Sequence, residues 1–208
     1  MTQRQYFDSA NVVCKCGKTA SDQNHYVWIA FLSYENEEFQ KEEWCTNYFC
    51  FSINKLATWW TESDIIHCQI AFQDNTPGNY ITYSVDSVTG EVWCEQRDFS
   101  KEGWRFARIR VTMDQENRIR KFLQAQLGKP FNSCGINMFW LCPWSGGGEK
   151  WFCSELTMAA LQRAGLYKGY TPAECGPSKI YDIVTSDRNL YVPDAHIIRV
   201  KNTTDMQF

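Results

Sequence analysis

The chain is poor in basic clusters, long apolar runs and histidine, and each shortage narrows its possible functions. Its 208 residues carry 21 Lys and Arg against 24 Asp and Glu, a formal net charge of −3. No cluster of Lys or Arg is visible, although nucleic-acid binding normally requires a basic stripe that replaces the counterions around phosphate. We therefore expect no nucleic-acid partner.

Long apolar stretches are also missing. No window approaches the roughly 18 uninterrupted apolar residues that a membrane-spanning helix needs, and the longest candidate, over 137–144, contains a proline. The first residues lack the apolar run of a secretory signal peptide. We expect no transmembrane segment and a cytoplasmic location.

Cysteine, in contrast, is abundant, with 10 residues. In a reducing compartment most of them are expected to be buried free thiols, which behave as small hydrophobic groups. Cys14 and Cys16 form a Cys-x-Cys pattern, but no second pair follows at zinc-finger spacing. A structural zinc site completed in space by Cys45 and Cys50 stays open as an alternative. The pattern favours free thiols, and we expect no metal and no cofactor.

The order of apolar patterns predicts one α+β domain over 1–208. Strand-like runs cover 26–32, 65–72, 80–85, 90–94 and 105–111, and helical spacing appears at 52–60, after Asp114, and over 153–164. Asp114 is the predicted N-cap of its helix, whereas Gly128 and Gly165 are predicted at the C′ positions of the last two helices. We expect a polar N-terminal extension over 1–24 and a core over about 26–185, with an antiparallel sheet packed against helices.

Cys153 is the strongest candidate for chemistry. A glycine-rich loop, 146–148, leads through two aromatic residues to this cysteine at the predicted start of a helix. Unpaired N–H groups and the helix dipole favour a thiolate there, and the same N–H groups can hold an oxyanion. The competing interpretation is a packing cysteine, the ordinary fate of this residue type.

A thiol nucleophile needs a base, and the chain has only 3 histidines. His67 lies within an apolar strand-like run, where an imidazole must be hydrogen-bonded or functional because an unsatisfied ring is costly to bury. The competing role is a core histidine bonded to a carbonyl. His25 lies in a polar loop, and His196, at the start of a late strand-like run, is the rival base.

The segments Ile66-His67-Cys68-Gln69-Ile70 and Trp151-Phe152-Cys153-Ser154-Glu155-Leu156 together resemble the signatures of the circularly permuted NlpC-like papain superfamily. The resemblance covers roughly 28–182. Members place a strand histidine before a helical cysteine, and versions similar to this chain occur in bacteria and large DNA viruses. It implies a single papain-like domain with the nucleophile helix late in the chain, in a host cytoplasm or virion if the source is viral.

The resemblance implies a cysteine peptidase, amidase or acyltransferase that acts on a peptide or lipid acyl substrate. Relatives often carry Glu two residues after the histidine, where this chain has Gln69, which is expected to share the face of His67 and to orient the ring or hold the oxyanion. Ser84 is the predicted third catalytic residue, with Thr82 as its alternative. The competing class is a non-catalytic virion or interaction protein that retains the fold.

Overall fold

A computed structural model describes residues 25–33, 63–74, 79–99, 104–132 and 147–193. Several predicted features lie outside these residues: the extension over 1–24 with Cys14 and Cys16, the helix near 52–60, and the rival base His196. The described residues form an α+β fold of six strands and three α-helices. This confirms the predicted class and the antiparallel sheet.

The sheet is antiparallel throughout and has the strand order β4-β3-β2-β1-β5-β6. Its strands are β1 (His25–Ser33), β2 (Ile65–Gln73), β3 (Asn79–Val85), β4 (Val92–Asp98), β5 (Trp104–Val111) and β6 (Tyr191–Val192). The first five match the predicted runs, although β4 begins at Val92 rather than at residue 90. Strands β1 and β2 lie at the centre, and both are almost entirely buried.

The two faces of the sheet carry different side chains because successive residues of a strand point to opposite sides. One face is apolar and contributes Ile29, Phe31, Ile70 and Ile109, all at most 1% exposed, to the hydrophobic core. Cross-strand register places a second set on the opposite face: Trp28, His67, Gln69, Ser84 and Phe106. The polar residues predicted to act in chemistry therefore lie on the face that the core does not use.

Three α-helices pack against the apolar face: α1 (Met113–Gln124), α2 (Cys153–Arg163) and α3 (Pro177–Ser186). Helices α1 and α3 each bury one stripe, Ile119 and Leu123 of α1 and Ile180 and Val184 of α3. Helix α2 is buried on most of its surface, and Leu156, Ala160 and Leu161 lie in the hydrophobic core. Helix α2 ends as predicted, with Gly165 at a positive φ of 84° after the C-cap Ala164. Helix α3 was not predicted, and it begins directly after Gly176 with a proline in its first turn.

The predicted ends of α1 were wrong. Its N-cap is Thr112, because Thr112 and Gln115 form a reciprocal capping box, whereas Asp114 pairs with Arg118 one turn later. Its C-cap is Ala125 rather than a residue next to Gly128. Gly128, at a φ of 76°, instead completes the following turn, and its N–H donates to the carbonyl of Val92 at 2.9 Å.

Candidate functional site

Strand β2 is paired differently along its two halves. It pairs with β1 between Ile65 and Ala71, but its ladder with β3 runs only from Ile70 to Gln73. Before Ile70 in the chain, β2 and β3 are no longer paired. There the Ser84 hydroxyl donates to the Cys68 carbonyl at 3.3 Å. We name the part of the sheet between Cys68 and Ser84 the β2–β3 opening.

The N-terminus of α2 reaches this opening. Cys68 Sγ lies 3.6 Å from Thr157 Oγ1, which is one helical turn after Cys153. Cys153 lies close enough to Cys68 and His67 for both residues to change its pKa, through the Cys68 thiol and backbone and through the His67 side chain. Neighbouring residues of a strand point to opposite faces, so a single thiol contacts both His67 and Cys68 only where the strand edge is free. The opening supplies that free edge.

The surroundings of Cys153 stabilise its thiolate. The hydrogen bond from the Cys68 thiol is the largest cause that holds the pKa of Cys153 well below its usual range. Burial opposes this effect, while the charge of His67, a hydrogen bond with that ring and one from the Cys68 backbone add to it. No side chain caps α2 at Phe152, so the helix start acts in the same direction.

The neighbouring thiol has the opposite character. Burial is the main reason that the pKa of Cys68 lies well above its ordinary value, and the hydrogen bond and charge of Cys153 raise it further. Cys68 is 0% exposed, whereas Cys153 is 6% exposed. The two shifts therefore favour a proton on Cys68 and a negative charge on Cys153.

The imidazole of His67 is held by Ser84. Ser84 Oγ lies 3.1 Å from His67 Nε2, and both residues are buried. A hydroxyl has one proton to donate, and Ser84 donates it to the Cys68 carbonyl. Ser84 therefore accepts a hydrogen bond from Nε2–H, an assignment that follows from the network. Nδ1 is then the nitrogen available to Cys153.

Gln69 is completely buried on the same face as His67, and it pairs with Ala30 of β1. Within the described residues, neither its amide nitrogen nor its amide oxygen has a hydrogen-bond partner. In this structure Gln69 thus does not hydrogen-bond the imidazole. An unsatisfied buried amide costs about 1–3 kcal/mol, so a role for Gln69 outside the packing of the sheet is worth testing.

For the residues that it describes, the structure decides between the alternatives that the sequence left open. Thr82 Oγ1 donates to the carbonyl of Glu95 at 3.2 Å, and it is Ser84 that meets the imidazole. His25 pairs with Glu116 at 3.0 Å, at the end of β1 and against α1. His196 lies outside the described residues.

Aromatic rings extend from His67 across the same face of the sheet. The ring of Trp104 lies 6.3 Å from that of His67, and further contacts of 4.9–6.2 Å connect Trp104, Phe99, Phe106, Tyr80 and Trp28. Arg97 lies over the Trp104 ring at 5.0 Å. These residues form a continuous aromatic row beside the imidazole.

Cys68 is the member of the site that sequence reasoning missed. It adjoins His67 in the sequence, but strand alternation assigns it to the core face, where a buried cysteine is ordinary. No signal in the sequence shows that the β2–β3 ladder stops at Ile70. The role of Cys68 therefore appears only in three dimensions.

Among the described residues, no group of three or more His, Cys, Asp or Glu side chains has the arrangement of a metal site. None of the described helices has the length and apolar character needed to span a bilayer. Comparisons with protein-family models, curated proteins and solved structures find no match to this chain.

Proposed function

We propose that the chain is a cysteine hydrolase or acyltransferase in which Cys153 is the nucleophile and His67 the base. The observation that carries this proposal is the position of Cys153 at the start of α2, close enough to His67 for that imidazole to lower its pKa. A thiolate next to an imidazole is the arrangement that nucleophilic catalysis by cysteine needs.

In this mechanism the thiolate of Cys153 attacks an amide, ester or thioester carbonyl. The first N–H groups of α2 stabilise the oxyanion that forms, and the amide of Gln69, which has no partner among the described residues, assists in this scheme. His67 Nδ1 delivers its proton to the leaving group, and a covalent acyl-enzyme remains. The imidazole then activates water or an acceptor that releases the acyl group and regenerates the thiol.

Ser84 is a positioning residue in this scheme. Its bond to Nε2 fixes the tautomer and the plane of the ring, so that Nδ1 faces the sulfur. Serine is neutral, and it therefore orients the imidazole without adding the charge that a carboxylate would supply. The chain order, with a strand histidine before a helical cysteine, supports a permuted papain-like fold of the NlpC type.

A peptide or amide substrate is our first choice. A lipid acyl substrate is the second candidate, and the aromatic row beside His67 is the observation that favours it. Aromatic side chains bury large apolar areas of a ligand. Rates with matched amide and ester substrates of increasing acyl length separate the two, because only a lipid-acyl site gains rate steadily with chain length.

The competing function is a non-catalytic virion or interaction protein. Iodoacetamide labelling of the folded protein at pH 6 discriminates, since an unperturbed thiol is roughly 0.3% ionised there. We expect Cys153 to react at least about 10-fold faster than each of the other nine cysteines. Equal rates, or no labelling of Cys153 in the folded protein, would favour the interaction protein.

A further inference from the structure

Cys68 is a second thiol next to the nucleophile, and acyl transfer does not use its sulfur chemistry. It belongs to β2, whereas Cys153 starts α2, and Cys68 Sγ lies 3.6 Å from the hydroxyl of Thr157, one helical turn after Cys153. The Cys68 thiol therefore lies against the first turn of α2, and the two cysteines shift each other's pKa. Both thiols are free in this structure. Neighbouring thiols on two packed elements are the starting point from which a disulfide forms.

We propose that Cys68 and Cys153 form a reversible disulfide when the protein meets hydrogen peroxide or an alkyl hydroperoxide. The site is then a thiol modification site in which Cys153 is oxidised first and Cys68 resolves the product. This role is independent of which acyl group the protein transfers, and it does not require that it transfers one.

In the first step the Cys153 thiolate attacks the nearer peroxide oxygen, and the O–O bond breaks. Cys153 becomes a sulfenic acid, and the other oxygen leaves as hydroxide or alkoxide and takes up a proton. In the second step Cys68 attacks the sulfenic sulfur, the S–O bond breaks, and the oxygen leaves as water. The sum is two thiols and one peroxide giving one disulfide, water and a second water or an alcohol.

The order of the two steps follows from the contrast between the sulfurs. Cys153 is the more exposed residue of the two and has the lowered pKa, and oxidation of cysteine follows thiolate character and access. Cys68 is 0% exposed and protonated. Oxidation of Cys153 to a neutral sulfenic acid removes the neighbouring charge that helps to raise the pKa of Cys68, although burial still opposes its ionisation.

The disulfide has a definite consequence for the site. The disulfide makes Cys153 unavailable as a nucleophile. It also prevents further oxidation of Cys153 to the sulfinic and sulfonic acids, which thiol reductants do not reverse. A thiol or dithiol reductant restores both sulfurs by exchange. Cys175 also contributes to the electrostatic surroundings of Cys68 and therefore serves as the control cysteine.

Peptide mapping after peroxide treatment tests the proposal on the full chain. Cleavage after Lys and Arg leaves Cys153 alone in peptide 151–163, while Cys68 shares peptide 56–97 with Cys94. A Cys94→Ser protein therefore makes the assignment unique. After one equivalent of peroxide and blocking of free thiols, we expect most of peptide 151–163 to be linked to peptide 56–97, and dithiothreitol to restore iodoacetamide labelling of Cys153.

A matched pair of variants completes the test. Cys68→Ser should abolish the link and send Cys153 to the sulfinic acid, whereas Cys175→Ser should leave the link unchanged. Recovery of Cys153 as unlinked sulfinic acid in the Cys94→Ser protein, or its linkage to any peptide other than 56–97, overturns the proposal even if Cys68→Ser does not fold. Labelling of Cys153 at pH 6 before oxidation reports separately on the proposed enzyme.

Discussion

The two halves of strand β2 show how one strand can serve the core and the candidate site. From Ile70 to Gln73 it pairs with β3, Ile70 and Ala71 also pair with β1, and Ile70 and Phe72 are packed into the core. From His67 to Gln69 it pairs with β1 only. On its other edge, the Ser84 hydroxyl donates to the Cys68 carbonyl, and Cys153 lies beside the Cys68 backbone. The closed half supplies stability, and the open half supplies reactive groups.

Where the hydrogen-bond ladder between two strands stops, the backbone groups of one strand become available to hold a nucleophile. A fully paired strand would use the Cys68 N–H and C=O for β3, and no helix start could reach that edge. In the β2–β3 opening these same groups hold Cys153 and Ser84. Changes in the two halves should therefore have separable effects on stability and on thiol reactivity.

The largest effect is expected in the closed half. Phe72 is 1% exposed, packs edge-on against Tyr83 at 6.0 Å and lies under Arg120. Phe72→Ala should lower the free energy of unfolding by about 3–5 kcal/mol because it removes core contacts and leaves a cavity. Urea unfolding measures the loss, and below the transition the labelling rate of Cys153 should be unchanged. Slower labelling in the still-folded variant would contradict the separation of the two halves.

The next effect concerns the base in the open half. His67→Ala removes the charge and the hydrogen bond that help to lower the pKa of Cys153, so labelling of Cys153 at pH 6 should slow at least about 10-fold. His196→Ala is the matched control and should leave the rate unchanged. If His196→Ala slows the reaction and His67→Ala does not, the assignment of the base is wrong.

Replacement of Gln69 should raise stability and lower the turnover of substrate. Gln69→Leu replaces a completely buried amide that lacks partners within the described chain, so the free energy of unfolding should rise by about 1–3 kcal/mol. Turnover of an acyl substrate should fall because an oxyanion donor is lost. A destabilised Gln69→Leu protein would show that the amide has a structural role.

The smallest effect is expected at Ser84. Ser84→Ala leaves His67 Nε2 without this partner, and labelling of Cys153 at pH 6 should slow by about 3–10-fold as the ring loses its fixed orientation. Thr82→Val serves as control because Thr82 bonds the carbonyl of Glu95 instead. Equal labelling rates in the two variants would remove Ser84 from the site.

Much of the fold could be predicted from sequence because its signals are local. The five strand runs, the start of α2 at Cys153 and its end at Gly165 follow from apolar spacing and one glycine. The N-cap at Thr112 was missed because Asp114 is an equally good capping residue type, and only the reciprocal bonds with Gln115 decide between them.

The site could be predicted only in part. A histidine in an apolar strand and a cysteine at a helix start are visible as unusual local contexts, and so His67 and Cys153 were found. Ser84 was predicted because it lies on the neighbouring strand of the hairpin. Strand alternation gives the face to which its side chain points, but not its distance from His67. Cys68 and the β2–β3 opening depend on where a ladder stops, which is a property of the whole sheet and leaves no local pattern.

The most direct test of the central claim is the pH profile of alkylation at Cys153 in the folded protein. A site that stabilises the thiolate predicts that the rate stays near its plateau from neutral to mildly acidic pH, and that the profile moves to higher pH in His67→Ala. A profile in the wild-type protein that titrates near 8.5, as for an ordinary thiol, and does not move in His67→Ala would contradict the account.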